Sequence, residues 1–166
     1  MLKPAVFLDR DGVINKEKDY VFRIQDFEWM DGSRESIKYL NDSNYHVFIV
    51  SNQSGIARGL YTEKDVKYLH KYINIELKKI NAHIDEFFIS PYHPMYPDKF
   101  KDLMHLRKPN TGMLEIAESK WSIKRKGSFL IGDKKTDVDC AANFGIRGHL
   151  FDSGNLLDFI KRCENI

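Results

Sequence analysis

The chain has 166 residues, 26 Lys plus Arg against 24 Asp plus Glu, and a formal charge of +2. With 42% hydrophobic and 30% charged residues, it has the makeup of one folded domain over residues 1–166 rather than of a disordered chain. So even a charge balance speaks against a dedicated nucleic-acid binder or a polybasic membrane anchor.

Cys140 and Cys163 are too few for a disulfide framework and lack the spacing of a metal knuckle, so they read as free thiols of a reducing compartment. No run approaches the roughly 20 apolar residues of a membrane span. Ala5-Val6-Phe7-Leu8 is cut off by Asp9 and does not read as a signal peptide. A cytoplasmic protein is the expectation.

In chain order, Ala5–Leu8 reads as a buried strand. Ser33 is placed to cap a short helix with Ile37 and Leu40 on one face. Val47–Val50 reads as a second strand. Thr62, with Asp65 in the first turn, predicts the start of a long helix whose apolar stripe is Val66, Leu69, Ile73, Leu77 and Ile80. Glu86–Ile89 reads as a third strand. Ser90–Pro109, with four prolines and no period, reads as a long surface loop. Asn110–Trp121 reads as a helix and Phe129–Ile131 as a fourth strand. Thr136 is placed to cap a helix that stops at Gly145. His149–Phe151 reads as a last short strand and Leu156–Ile160 as a last helix.

This alternation predicts an α/β fold, a three-layer Rossmann-like parallel sheet with helices on both faces. In such sheets ligands bind beyond the carboxyl ends of the strands. The chemically interesting residues follow the apolar runs accordingly. Asp9 and Asp11 come after the first; two carboxylates leaving a buried strand need a positive partner, most simply a hard divalent cation such as Mg2+. After the second come Ser51, Asn52, Gln53, Ser54 and Gly55, a hydroxyl, amides and a turn suited to phosphoryl oxygens. Arg107 and Lys108 precede the third helix, where a lysine can neutralise a transferring phosphoryl group. Asp133 and Asp137 follow the fourth strand.

In order, these segments supply a nucleophile-type aspartate, a hydroxyl, a lysine and a metal-type aspartate. The arrangement resembles the haloacid dehalogenase superfamily of phosphohydrolases. The segments DRDGVIN (Asp9 to Asn15), DYV (Asp19 to Val21), FEWMDG (Phe27 to Gly32), SNQSGIARG (Ser51 to Gly59), RKPNTGM (Arg107 to Met113) and GDKKTDVDCAA (Gly132 to Ala142) are similar to those of one subgroup. That subgroup is the family of D-glycero-D-manno-heptose 1,7-bisphosphate phosphatases, with the histidinol-phosphate phosphatases as relatives. The likeness covers about residues 3–150.

The resemblance implies that Asp9 attacks phosphorus and forms an aspartyl-phosphate. It implies that Asp11 protonates the leaving sugar oxygen and then activates water. Mg2+ would be held by Asp9, the Asp11 main-chain carbonyl and Asp133. Ser51 and Lys108 would stabilise the phosphoryl oxygens, Asn52, Gln53 and Ser54 would line the site, and Asp137 would orient Lys108 or a metal-bound water rather than ligate the metal itself. Glu17, Lys18, Asp19 and Tyr20 match a substrate-contacting segment. Arg107, with Lys134 near the same pocket, would bind the part of the substrate that is not hydrolysed. No insertion is long enough for a cap domain, so a short flap and loops form a minimal cap.

The implied reaction is removal of the C7 phosphate of heptose 1,7-bisphosphate, in nucleotide-activated heptose biosynthesis. The alternatives are a histidinol-phosphate phosphatase, a nucleic-acid 3′-phosphatase and a non-catalytic phosphate-binding module. The expected partner is a small sugar phosphate, with no nucleic acid or membrane, and the expected state a monomer. One departure stands out. The family commonly carries a zinc loop, C-P-H-H-P and then C-x-C before the RKP. Here Ser90-Pro91-Tyr92-His93-Pro94 and Met104-His105-Leu106 take those places, so no structural zinc is expected.

Overall fold

Period-two alternation sends the side chains of Ala5–Leu8, strand β1, to two different layers. Val6 and Leu8 join one apolar core, Ala5 and Phe7 the other. All four are inaccessible to solvent, which fits the central place of β1 in the sheet. The computed structural model describes residues 1–164. Its sheet holds β1, β2 (His46–Asn52), β3 (Glu86–Ser90), β4 (Phe129–Gly132) and β5 (Arg147–Leu150) in the order β3-β2-β1-β4-β5, all parallel.

The layers follow from the same alternation. Val47, Ile49, Phe129 and Ile131 face the core covered by α1 (Ser33–Asp42), α2 (Glu63–Lys78) and α5 (Leu156–Glu164). Phe48, Val50 and Leu130 face the core covered by α3 (Gly112–Lys120) and α4 (Lys135–Phe144). The Phe7 ring lies 5.4 Å from Phe48 and 6.2 Å from Phe144, tying β1, β2 and α4 together. The stripe on α2 is buried at Val66, Leu69, Ile73 and Leu77; Ile80 lies beyond the helix and packs on the core from its edge.

Several ends differ from the sequence reading. Ser33 is the first residue of α1 and not its cap; Gly32 holds that place at φ 74°, a left-handed conformation glycine adopts without strain. Thr62 does cap α2, with a reciprocal Asp65. β2 runs two residues further than Val50, so Ser51 and Asn52 still belong to the strand. α3 starts at Gly112 and α4 at Lys135; at α4 the Asp137 carboxylate accepts the Lys134 amide (3.1 Å), and Thr136 caps nothing. β5 is Arg147–Leu150, and Phe151 instead donates its amide to Gly132 O (2.8 Å). α5 reaches Glu164, its first turn capped by Asn155. The loop after β3 contains a 3-10 turn, Lys101–Leu106, anchored by buried Leu106.

The cap is minimal. Residues after Asn15 fold back as a flap, with Lys16 N–H on Glu28 O (2.9 Å) and Met30 N–H on Ile14 O (2.9 Å). Lys16 and Lys18 both donate to Glu28, whose carboxyl these bonds pull down to about 2.

Cys140, on the buried face of α4, has its thiol pushed up to about 11 by burial, and donates to Asn110 O (3.2 Å). At pH 8 such a thiol is ionised about a hundredfold less than an ordinary one. Iodoacetamide should therefore label native Cys140 at least about a hundredfold more slowly than the urea-unfolded chain, with the rate rising about tenfold per pH unit. Peptide mass spectrometry of a labelling time course checks this.

Candidate active site

The carboxyl ends of β1, β2 and β4 meet where the connections leave the sheet in opposite senses, the switch point of a doubly wound sheet. Asp9 leaves β1 with its amide still on Ile131 O (2.9 Å), so its side chain emerges between β2 and β4. Lys108 enters from the segment before α3 and is almost fully buried. Its Nζ donates to Asp9 Oδ1 (3.0 Å) and Val50 O (2.7 Å) and pairs with Asp137 Oδ1 (2.6 Å). Two of its ammonium protons thus go into hydrogen bonds, and its charge pairs with Asp137. Burial by itself would lower Lys108; Asp9 and Asp137 outweigh it and hold the ammonium charged. Burial drives the Asp9 carboxyl well above its usual range against the pull of Lys108, with Asp137, Asp11 and Asp133 adding to the rise.

A second network fixes Asp11. Fully buried Arg10 donates from Nη2 to both Asp11 oxygens (3.1 and 3.2 Å) and to Val21 O. Asn15 Nδ2 (3.0 Å) and Gln53 Nε2 (3.1 Å) complete the ring of donors, and Tyr61 OH holds Gln53 Oε1 at 2.6 Å. Arg10 Nη1 lies 3.2 Å from His70 Nε2, and the His70 ring stacks on Phe87 at 4.3 Å. Burial, then the charge of Arg10, holds His70 well below its usual range, so the imidazole is neutral and Nε2 accepts. His70→Leu leaves an Arg10 donor buried without a partner. We expect a loss of about 1–3 kcal/mol in urea unfolding, partly recovered by His70→Gln, whose amide oxygen can accept.

Four carboxylates, Asp9, Asp11, Asp133 and Asp137, face two cations, Arg10 and Lys108, an excess of two negative charges. Asp9, Asp133 and Asp137 offer oxygens within 4.8 Å of one another, and Asp133 Oδ1 is buried without a hydrogen-bond partner. Gly12 brings the chain against Asp133: a Cβ there would stand 2.3 Å from Asp133 Oδ2. Hard oxygens around an uncompensated double charge fit Mg2+. The Asp11 carboxylate stands outside this cluster, bound by its three donors.

Around the cluster is a cavity of about 230 Å3, lined by Asp9, Asp11, Glu17, Asn52, Ser54, Arg107, Lys108, Lys134, Thr136 and Asp137. A second depression shares Glu17 and Lys134 and adds Asp19, Tyr20, Gln53 and Tyr61. Most residues picked from the sequence therefore converge. Three of them also hold neighbouring groups in place. Asn52 grips the Lys108 main chain at both ends of its amide (3.0 and 3.2 Å). Gln53 bridges Asp11, Ser51 and Tyr61. Lys18 turns to Glu28 (2.8 Å) beside a neighbouring depression. Ser51 is buried, with Oγ accepting from Gln53 (2.7 Å). Asn15, Tyr61 and His70 escaped the sequence reading; only a polar residue within an apolar stripe, as at His70, could have flagged one.

The loop after β3 does not fit zinc. Leu106 is packed in the core, Met104 is half-exposed, and the Tyr92 carbonyl accepts from Arg107 (3.2 Å). His93 and His105 are left as nitrogen donors, short of the four a structural site requires.

The fold and the aspartate–lysine centre define an α/β phosphohydrolase of the haloacid dehalogenase type. The sequence description of the polynucleotide kinase 3 phosphatase family matches residues 5–147, and the chain belongs to that family. It is 39% identical over 161 residues to a D-glycero-beta-D-manno-heptose-1,7-bisphosphate 7-phosphatase of Rhodopseudomonas palustris, covering 96% of this chain and 89% of that one. It is 42% identical over 144 residues to a D-glycero-alpha-D-manno-heptose-1,7-bisphosphate 7-phosphatase of Photorhabdus laumondii, covering 86% and 78%. Among solved structures it is similar to the D,D-heptose 1,7-bisphosphate phosphatase of B. bronchiseptica complexed with magnesium and phosphate, with TM-score 0.80, 28% identity, and coverage of 96% and 87%.

Proposed function

We propose that the chain is a Mg2+-dependent phosphatase that removes the C7 phosphate of D-glycero-D-manno-heptose 1,7-bisphosphate. The observation that carries this reading is the Asp9–Lys108–Asp137 centre beside Asp133, in a chain about 40% identical to phosphatases of that name.

In this mechanism Asp9 attacks phosphorus, the bond from phosphorus to the sugar oxygen breaks, and Asp11 gives that oxygen its proton. Asp11 then takes a proton from water, whose oxygen attacks phosphorus and frees Asp9 and inorganic phosphate. Lys108 and Ser51 hold phosphoryl oxygens, and Asp137 aims Lys108. Arg10, Asn15 and Gln53 keep the Asp11 carboxyl in one place through both proton transfers. Mg2+, held by Asp9, Asp133 and the Asp11 main-chain carbonyl, would supply charge neutralisation of the transferring group. Glu17, Ser54, Arg107 and Lys134 line the space left for the sugar.

Arg107, Lys108 and Lys134 face Asp9, Asp11, Glu17 and Asp137 in the cavity, which makes no basic groove for a polynucleotide end. A single sugar-phosphate substrate, a monomeric enzyme and the cytoplasm belong to the same reading. Among the described residues no helix is long and apolar enough to cross a membrane.

The test is phosphate release from both anomers of heptose 1,7-bisphosphate, histidinol phosphate and a 3′-phosphorylated oligonucleotide. Each is assayed with Mg2+ and with chelator. The expected result is preference for one heptose anomer and at least a hundredfold loss on chelation, in line with loss of a main electrostatic contribution. Preference for histidinol phosphate or the oligonucleotide overturns the substrate, and turnover insensitive to chelator overturns the metal.

A further inference from the structure

Asp11 is held from two sides, and both holds lead to the flap. On one side Arg10 Nη2 donates to both Asp11 oxygens and to Val21 O. On the other, Gln53 Nε2 donates to Asp11 Oδ2 (3.1 Å) and Ser51 Oγ (2.7 Å), while Gln53 Oε1 accepts from Tyr61 OH (2.6 Å). Phe22, the residue after Val21, stacks on the Tyr61 ring with centroids 4.8 Å apart and planes 16° apart. Tyr20 packs on the same ring at 6.4 Å.

A carboxamide accepts at one end and donates at the other. The Gln53 main-chain N–H is fixed on Ser90 O (2.8 Å), so only the side chain is left to turn. With Oε1 on the phenol, Nε2 faces Asp11 and Ser51 and gives a hydrogen to each. Turned over, the amide would set its oxygen against an ionised Asp11, two acceptors with no proton between them. Burial raises the Tyr61 phenol far above its usual range, outweighing the pull of Arg10, so the hydroxyl keeps its proton and donates. Gly55 makes room for it: a Cβ there would stand 2.1 Å from Tyr61 Cε1 and 2.7 Å from the phenol oxygen. Ile56 and Val66 close the apolar cluster in which the ring is buried.

We propose that Tyr61 is a positioning residue for both proton transfers at Asp11. Seated on Gly55 and stacked on Phe22, it locks the Gln53 amide and so keeps the Asp11 carboxyl aimed at the oxygen that leaves. Val21 through Arg10, and Phe22 through Tyr61 and Gln53, set the flap and the acid together. The inference deepens the reading above and rests on Asp11 being the acid.

The experiment measures kcat/KM with Mg2+ for heptose 1,7-bisphosphate, fructose 1,6-bisphosphate and p-nitrophenyl phosphate. It compares the full chain with Tyr61→Phe, Gln53→Leu, the double variant and Asp11→Asn. A sugar oxygen needs a proton as it leaves and p-nitrophenolate does not, so the ratio of sugar to p-nitrophenyl kcat/KM reports the acid. Tyr61→Phe keeps the stacked ring and loses only the hydroxyl. A general acid contributes about 10^2–10^4-fold, and a misaimed one forfeits part of that, so Tyr61→Phe should lower the ratio about 30-fold. Asp11→Asn should lower it at least as far. In Gln53→Leu the route is already cut, and adding Tyr61→Phe should lower the ratio by less than about twofold more.

A ratio that Asp11→Asn lowers and Tyr61→Phe leaves unchanged, whether through no loss or an equal loss on every substrate, overturns the positioning role and leaves the acid standing. A fall as large in the Gln53→Leu background overturns the route through the amide. A ratio unmoved by Asp11→Asn overturns the acid and this inference with it. Should wild type favour fructose 1,6-bisphosphate, the heptose reading falls, and the same ratio taken with that substrate decides on Tyr61.

Discussion

Asp9→Asn should abolish turnover while leaving the fold in place. An amide cannot form the acyl phosphate, and groups that act as one catalytic unit typically cost on the order of 10^4-fold or more when one is removed. The change is nearly isosteric. It removes a negative charge from a buried site that already holds Asp11, Asp133 and Asp137, and Lys108 keeps its pair with Asp137 at 2.6 Å. The expected outcome is a loss of phosphate release of at least about 10^4-fold with a Tm no lower than wild type. Turnover within tenfold of wild type would refute the covalent mechanism, whatever the substrate.

Lys108→Met should fail in the opposite manner, through stability as well as activity. Lys108 is the cation that separates Asp9 from Asp137, both on its Nζ at 3.0 and 2.6 Å. Removing one partner of a buried pair leaves uncompensated charge and costs about 3–5 kcal/mol. For a chain of this size that is on the order of 10 °C in Tm. The Val50 carbonyl loses its side-chain donor as well. Adding Asp9→Asn to Lys108→Met removes one stranded carboxylate and should return about 1–3 kcal/mol of the loss. Urea unfolding of the two single variants and the double variant measures that coupling. Additive losses would mean that the pair contributes no mutual stabilisation.

Much of this protein was legible in its sequence because the signals are local. The unbroken apolar run Ala5–Leu8 announces a strand buried on both faces. The stripe on α2 announces a helix lying on a core, and Thr62 with Asp65 announces its start. Gly145, at φ 87°, ends α4 as its residue type predicts. These patterns depend on a handful of neighbours along the chain. Ends were less legible. Ser33 has the chemistry of a cap, yet Gly32 takes the position because the chain turns there through a left-handed conformation. Ser51 and Asn52 look like loop residues but remain in β2, since β3 pairs with them through Ile89 and Ser90.

By itself the sequence determined the α/β alternation, the placing of Asp9, Ser51 and Asp133 after apolar runs and of Lys108 before a helix, and the motif order that marks the family. Each of these is a matter of residue type and spacing. Which of these residues touch was decided by tertiary structure alone. Lys108 meets Asp9 across 99 residues because parallel register brings β1 beside β2 and β4 while the chain before α3 crosses their ends. The same packing gives both ends of the Asn52 amide to the Lys108 main chain, points Gln53 at Asp11, and stacks His70 behind Arg10. A donor's partner is set by where the backbone stands in space, and no local period along the chain encodes that.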